Sequence, residues 1–161
     1  MSQSSSPSDE ALMQLALDEA RLCTEAGDVP VGAVIARGDE VLAVAGNGRE
    51  RLQDPTAHAE VLALREAARG TGSWRLDGCT LLVTLEPCAM CAGAIVLARV
   101  ERVVFGAADP KAGFAGSLGD LVRDTRLNHR VELTSGVLAE ECGELLREFF
   151  RTRRGVEGAP L

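Results

Sequence analysis

Apolar positions along this chain follow helical spacing in some segments and strand-like runs in others. Near the N-terminus they recur every three or four residues, which predicts a helix that begins after Ser6 with Pro7 in its first turn. Two valine-rich runs, 31–36 and 41–45, flank a polar turn and predict a β-hairpin. The residues predicted to share one face of the first helix are Leu12, Leu15, Ala16, Leu22, Cys23 and Ala26.

The rest of the chain predicts alternating helices and strands. In order, the pattern predicts a polar loop over 47–56, a helix over 58–69, a strand over 80–84, a helix over 88–99, a strand over 102–106, a short strand over 131–134 and a closing helix over 137–154. This order favours an α/β fold with a mixed sheet and helices on both faces. We expect one domain over 9–154, a disordered N-terminus over 1–8 and a tail over 155–161.

Composition narrows the functional classes. The 161 residues carry a net charge of −7, and no apolar run approaches the length of a membrane span. The first seven residues are polar and do not resemble a secretory signal, and the five cysteines are an odd number, which argues against a disulfide framework. We therefore expect a cytoplasmic protein without a membrane association. Arginines concentrate in 147–154, and they fit either a local site for a polyanion or a solvated helix end.

Three residues have the types and spacing of zinc ligands. Cys88 and Cys91 are three apart at the start of a predicted helix, so both thiols can reach one ion. His58, at the start of the preceding predicted helix, is the third candidate ligand. Cys23, Cys79 and Cys142 lie within apolar patterns and are predicted to be core residues, and His129 has no ligand spacing around it. Three protein ligands leave one position for water, which is typical of a catalytic zinc site rather than a structural one.

Glu60, two residues after His58, is the candidate catalytic residue. On a helix its side chain would point away from the ligand direction, yet it would remain close enough to move protons at the site. A glutamate in a first helical turn can also serve only to complement the helix dipole. The combination of His58-Ala59-Glu60 with Pro87-Cys88-x-x-Cys91 favours the catalytic interpretation.

At these residues the sequence resembles the cytidine-deaminase-like superfamily and, within it, the tRNA-specific adenosine deaminases of bacteria. The resemblance covers about residues 10 to 154. The segments that carry it are 29–34, 54–60, 84–88, 90–94, 102–107, 116–118, 127–131 and 149–151.

The resemblance implies a three-layer α/β/α sandwich on a five-stranded mixed sheet, one Zn²⁺ per subunit and a homodimer. It further implies hydrolytic deamination of adenosine to inosine at the wobble position of a tRNA anticodon loop, most directly in an arginine tRNA. By the same resemblance, Asn47 would hydrogen-bond the flipped base, Leu85 would line the pocket and Asp109 would contact the sugar. Phe150 and Arg153 would contact the flanking loop nucleotides.

Two departures and two alternatives remain. Gly46 stands where the family often has an aromatic residue, and the basic tail after the last helix is short. From the residues alone, Asn47-Gly48 favours a turn dipeptide. The first alternative function is deamination of a free base or nucleoside, of the guanine or cytosine type. The second is a zinc protein that binds RNA without catalysis, for which a fourth protein ligand on the metal would be expected.

Overall fold

The computed structural model describes the chain from Pro7 to Glu157. Most of the predicted disordered N-terminus (1–8) and of the tail (155–161) lies outside these residues. The helices are α1 (Pro7–Cys23), α2 (Arg49–Leu52), α3 (Ala59–Thr71), α4 (Ala89–Leu97) and α5 (Ala139–Glu157), with a short 3₁₀ turn at Thr24–Ala26. The strands are β1 (Gly32–Arg37), β2 (Glu40–Gly46), β3 (Thr80–Leu85), β4 (Arg102–Ala107) and β5 (Glu132–Ser135).

The strands form one five-stranded mixed sheet in the order β2-β1-β3-β4-β5. The hairpin pairs β1 with β2, and β1 also runs antiparallel to β3. The strands β3, β4 and β5 are parallel, and α4 makes the crossover between the first two of them. The carboxyl ends of β3 and β4 therefore lie side by side, and the loops that follow them meet at one edge of the sheet.

Alternation along the central strands produces two apolar cores, one on each face of the sheet. Val34, Leu82 and Val104 point to the face covered by α1 and α5. Their neighbours in sequence point to the opposite face, which α3 and α4 cover. Because successive strand residues face opposite sides, these continuous apolar runs are what a sheet buried on both faces requires. The predicted three-layer α/β/α sandwich is confirmed.

The predicted core face of α1 was wrong in part. Leu15 and Leu22 are 41% and 57% exposed, whereas Met13 and Leu17 are fully buried. The helix carries apolar residues on more than one side, so close packing against β1 decides which of these sides faces the sheet. A Cβ on Gly32 would overlap the carbonyl oxygen of Ala16, so this face of the helix approaches the strand where no side chain intervenes.

A buried ion pair ties α1 to the sheet on the side away from the predicted zinc ligands. Arg102 donates two hydrogen bonds to the carboxylate of Asp9, at 2.9 and 2.7 Å, and a third to Thr134 Oγ1 at 2.8 Å. The Asp9 side chain is only 5% exposed. None of the helices in the part of the chain that the structure describes has the length and apolar character needed to cross a membrane.

Candidate active site

The predicted metal ligands converge at the N-terminal ends of two helices. His58 immediately precedes α3 and Cys88 immediately precedes α4, and both have extended backbone conformations. Cys91 lies in the first turn of α4 and is buried. His58 Nδ1 lies 3.6 Å from Cys88 Sγ and 3.5 Å from Cys91 Sγ. The three ligand atoms lie within 4.8 Å of one another, so the structure brings together all three residues predicted from spacing.

This donor set fits a tetrahedral zinc ion. With ordinary Zn–N and Zn–S bond lengths, tetrahedral geometry separates a ligand nitrogen from a ligand sulfur by about 3.5 Å. Both observed nitrogen–sulfur distances agree with that value. No fourth histidine, cysteine or carboxylate belongs to the cluster among the residues for which side chains are described. The cluster therefore offers three protein ligand atoms to one ion.

Hydrogen bonds within the cluster favour a thiolate. Those from Cys91 and His58 lower the pKa of the Cys88 thiol to about 3. The hydrogen bond with Cys88, followed by burial, raises the pKa of Cys91. The hydrogen bond with Cys88 also raises the pKa of His58, against the opposing effect of its burial. Cys88 is therefore the sulfur that these contacts favour as a thiolate, the form in which cysteine binds a metal ion.

Glu60 lies beside the cluster but outside it. Its side chain is 4% exposed, and burial raises the pKa of its carboxyl to about 7. A hydrogen bond with the Cys91 thiol and the charge of His58 act in the opposite direction. A carboxyl that titrates near neutrality can both accept and donate a proton, which is the property that general acid–base catalysis requires.

A cavity of about 150 Å³ opens onto these groups. The structure brings six of the predicted site residues to its wall: His58, Glu60, Cys88, Asn47, Leu85 and Asp109. Asn47 Nδ2 donates to the carbonyl oxygen of Val29 at 3.1 Å, whereas Asn47 Oδ1 is buried without a partner among the described residues. Because an unpaired buried acceptor is costly, this oxygen is suited to a donor group on a bound ligand.

Glu86, for which the sequence pattern predicts no role, organises the loop that carries Asp109. The Glu86 carboxylate is buried, and hydrogen bonds from Ser117 and from three backbone amides lower its pKa despite the opposing effect of burial. It accepts from the amides of Asp109 at 2.9 Å, Ala115 at 3.0 Å and Ser117 at 3.0 Å, and from Ser117 Oγ at 2.5 Å. The available signal was an acidic residue directly after an apolar strand and before Pro87.

A second hollow, of about 320 Å³, adjoins the first and shares Val29, Asn47 and Arg49 with it. The structure places both Phe150 and Arg153 at its wall. The rings of Phe149 and Phe150 meet edge to face with centroids 5.3 Å apart, and the Arg153 guanidinium lies 5.4 Å from the Phe149 ring centroid. The hollow thus combines aromatic and cationic groups with the acidic residues Asp28 and Glu50, next to the cavity that Glu60 lines.

Two of the arginines of α5 lie close to acidic side chains, which makes them less available to bind a polyanion. Arg147 pairs with Glu140 at 3.2 Å and with Glu144 at 2.9 Å, and Arg151 lies 3.5 Å from Glu144. These exposed ion pairs agree with the interpretation of this segment as a solvated helix end. Among the α5 arginines whose side chains are described, Arg153 lines the hollow.

The remaining cysteines and the second histidine lie outside the cluster of His58, Cys88 and Cys91. Cys23, Cys79 and Cys142 are buried, as predicted, and all five cysteines are free thiols. His129 Nε2 lies 2.8 Å from the carbonyl oxygen of Val100, so its ring is engaged with the backbone rather than with the metal cluster.

Comparison with known proteins identifies the family. The family model of MafB19-like deaminases matches residues 7–154. The tRNA-specific adenosine deaminase of Bacillus subtilis is 54% identical over 91% of both chains. That of Haemophilus influenzae is 48% identical over 91% of this chain and 85% of its own. This chain belongs to the tRNA-specific adenosine deaminase family. It is accordingly a deaminase.

Solved structures place this deaminase in the same fold as two kinds of enzyme. A structure from studies of A-to-I editing by tRNA:A34 deaminases at the wobble position of transfer RNA is 43% identical, with a TM-score of 0.82 over 84% of this chain and 99% of that one. The guanine deaminase of Nitrosomonas europaea is 25% identical, with a TM-score of 0.77 over 91% of this chain and 85% of its own. The fold thus serves both a polynucleotide and a free base.

Proposed function

We propose that this deaminase converts adenosine to inosine at the wobble position of a tRNA anticodon loop, with one Zn²⁺ bound by His58, Cys88 and Cys91. The observation that carries the proposal is the juxtaposition of two sites. The cavity beside Glu60 suits a base, and the adjoining hollow with Phe150 and Arg153 suits the nucleotides that flank it. A free base would fill only the first of them. The similarity to named tRNA deaminases supports the same substrate.

The chain's own residues divide the reaction between them. A zinc ion at this site would supply Lewis-acid activation of a water molecule. Glu60 accepts a proton from the attacking water and delivers it to N1 of adenine as the water oxygen bonds to C6. Glu60 then carries the remaining proton from the hydroxyl on C6 to the amino group, the C6–N bond breaks, the C6 carbonyl forms and ammonia leaves. Adenosine and water are thereby converted to inosine and ammonia, and Glu60 returns to its initial state.

The cavity wall would hold the nucleotide in place. Asn47 Oδ1 is an acceptor for the flipped base, and Leu85 gives the pocket an apolar side. Asp109 is placed to bind the sugar. The anticodon loop is single-stranded, so a base can enter without the cost of opening a duplex. Phe150 offers a ring for stacking and Arg153 a charge for a phosphate, both in the adjoining hollow.

We further propose that the substrate is an arginine tRNA, that the enzyme acts in the cytoplasm and that it is a homodimer. The surface of α4 supports the dimer. Met90 and Leu97 are 38% and 70% exposed and lie two turns apart on one face, with Gly93 and Ala94 between them. Small residues permit close approach of a second copy. Leu97→Lys should give a monomer in light scattering, whereas Leu22→Lys, at a comparably exposed leucine on α1, should remain a dimer. Identical masses for both variants would remove this surface from consideration.

The deciding experiment measures inosine. Purified zinc-loaded protein is incubated with an arginine-tRNA anticodon stem-loop that carries adenosine at the wobble position and, separately, with free adenosine, cytidine and guanine. We expect inosine from the stem-loop alone. Product from a free base or nucleoside instead would transfer the same chemistry to a different substrate class. No product from any of them, with zinc bound, would favour an RNA-binding protein without catalysis.

Glu60→Gln is the matched control for chemistry. It preserves the size of the side chain and removes the group that moves protons. We expect the turnover rate to fall by at least about 100-fold, the lower end of what general acid–base catalysis contributes. The zinc content measured by mass spectrometry should remain one per chain. Activity near that of the wild type would show that Glu60 does not have this role.

A further inference from the structure

We propose that Glu86 is a positioning residue for substrate binding, which holds the Asp109 loop in its binding conformation through a hydrogen bond to the Asp109 amide. This inference rests on the proposed function, because it concerns the contact between Asp109 and the bound nucleotide. Glu86 belongs neither to the predicted metal ligands nor to the groups predicted to touch the substrate.

The carboxylate of Glu86 is the common acceptor of the segment from Asp109 to Ser117. Its Oε1 accepts from the Asp109 amide and the Ser117 hydroxyl, and its Oε2 accepts from the amides of Ala115 and Ser117. Glu86 is 2% exposed. A Cβ on Gly113 would overlap the carboxyl group, so the loop is wrapped closely around it. This stretch contains no helix or strand, so its backbone amides lack the acceptors that a neighbouring strand would provide. The Glu86 carboxylate supplies those acceptors instead.

Asp109 depends on this arrangement for its own orientation. Its backbone amide is held by Glu86 Oε1, and its Oδ1 accepts from the amides of Lys111 and Ala112, at 3.0 and 3.2 Å. The side chain is therefore fixed by the loop, and the loop by Glu86. Because Glu86 is also at the wall of the catalytic cavity, a shift of its carboxylate moves Asp109 relative to the base pocket.

Substitution of Glu86 by glutamine distinguishes the roles of its two carboxylate oxygens. A glutamine has one acceptor oxygen and one NH₂ group. Two backbone donors, from Ala115 and Ser117, demand an oxygen at the Oε2 position. The NH₂ group is thereby directed to the Oε1 position, where the Ser117 hydroxyl can rotate to accept but the Asp109 amide cannot. Glu86→Gln thus removes chiefly the tether to Asp109.

The experiment compares KM and kcat for the wobble-adenosine stem-loop among wild type, Glu86→Gln, Asp109→Ala and the double variant. We expect Glu86→Gln to raise KM about 10-fold or more, the effect of one hydrogen bond to a charged group, with a smaller change in kcat. Asp109→Ala should raise KM comparably. The double variant should be no worse than the worse single variant, because both changes remove the same contact. Zinc content should stay at one per chain throughout.

A control separates positioning from general destabilisation. Asp9→Asn also removes a buried carboxylate, but on the far side of the sheet, and should lower the melting temperature without raising KM. If Glu86→Gln leaves KM unchanged, or if its effect multiplies fully with that of Asp109→Ala, the proposal is wrong. A wild-type enzyme inactive on the stem-loop would instead refute the proposed function.

Should Glu86→Gln fail to fold, Ser117→Ala provides the second variant. It deletes the hydroxyl that shares Oε1 with the Asp109 amide and leaves every backbone donor in place. Without this hydroxyl the carboxylate is less firmly oriented toward the Asp109 amide, and the loss of one hydrogen bond to a charged group should raise KM by about 10-fold, with no such rise in the Asp109→Ala background. An unchanged KM in Ser117→Ala would then count against the proposal.

Discussion

Gly46→Ala should destabilise the protein chiefly through one contact, with the thiol of Cys23. An ideal Cβ on Gly46 would lie 2.6 Å from Cys23 Sγ and 3.3 Å from the carbonyl oxygen of Glu19. Cys23 is 7% exposed, and the hollow of about 300 Å³ that it lines together with Gly46 sets how far its thiol can move away. Overpacking of this kind costs about 1–3 kcal/mol, which for a domain of this size lowers the melting temperature by about 2–10 °C.

Removal of the sulfur should reverse the effect. Cys23→Ala alone loses packing and two weak contacts of the thiol, with the carbonyl oxygens of Glu19 and Val31, each at 3.6 Å. Its cost should be about 1 kcal/mol. In the double variant the added methyl group occupies space vacated by the sulfur. Its stability should therefore lie within about 0.5 kcal/mol of Cys23→Ala rather than at the sum of the two costs.

The assay is urea unfolding followed by circular dichroism, with every variant at the same free zinc concentration because a bound ligand adds to stability. Gly32→Ala is the contrasting control, since its Cβ would meet the backbone of Ala16, which no side-chain truncation relieves. Additive costs for Gly46→Ala and Cys23→Ala would refute the reasoning. Because Gly46 precedes Asn47, the single Gly46→Ala variant should also raise KM for the stem-loop, and the double variant should restore it.

Three further predictions test other parts of the structure. Removal of zinc by a chelator should abolish activity and lower the melting temperature, and readdition of zinc should restore both; full activity in metal-free protein would exclude the proposed site. Asp9→Asn should cost about 3 kcal/mol in urea unfolding because it leaves Arg102 without its buried counter-charge; a loss below about 1 kcal/mol would contradict that accounting. Phe150→Leu should weaken stem-loop binding by about 1–3 kcal/mol in a fluorescence titration, whereas kcat at saturating stem-loop should be unchanged. If neither Phe150→Leu nor Phe149→Leu weakens binding, base stacking on these rings is excluded.

The chemistry of the site could be predicted from the sequence because its parts are local. The spacing of Cys88 and Cys91 is set by one helical turn, and Glu60 is fixed relative to His58 by the start of another helix. The two helices need only begin at the same edge of the sheet, as the alternating order of elements implies. Asn47 and Asp109 were predicted only through the family resemblance, since nothing in their local pattern says that the ends of β2 and β4 meet at one cavity.

Tertiary structure decided the features that depend on contacts between segments distant in the sequence. The periodicity of α1 allowed Leu15 and Leu22 as core residues, but close packing against β1 buries Met13 and Leu17 instead. The role of Glu86 was invisible because its partners are backbone amides of a loop more than twenty residues away, and every residue type there except proline offers the same donor. Residue types thus specified the reactive groups, whereas the sheet order and the loop around one buried carboxylate determined how those groups are held.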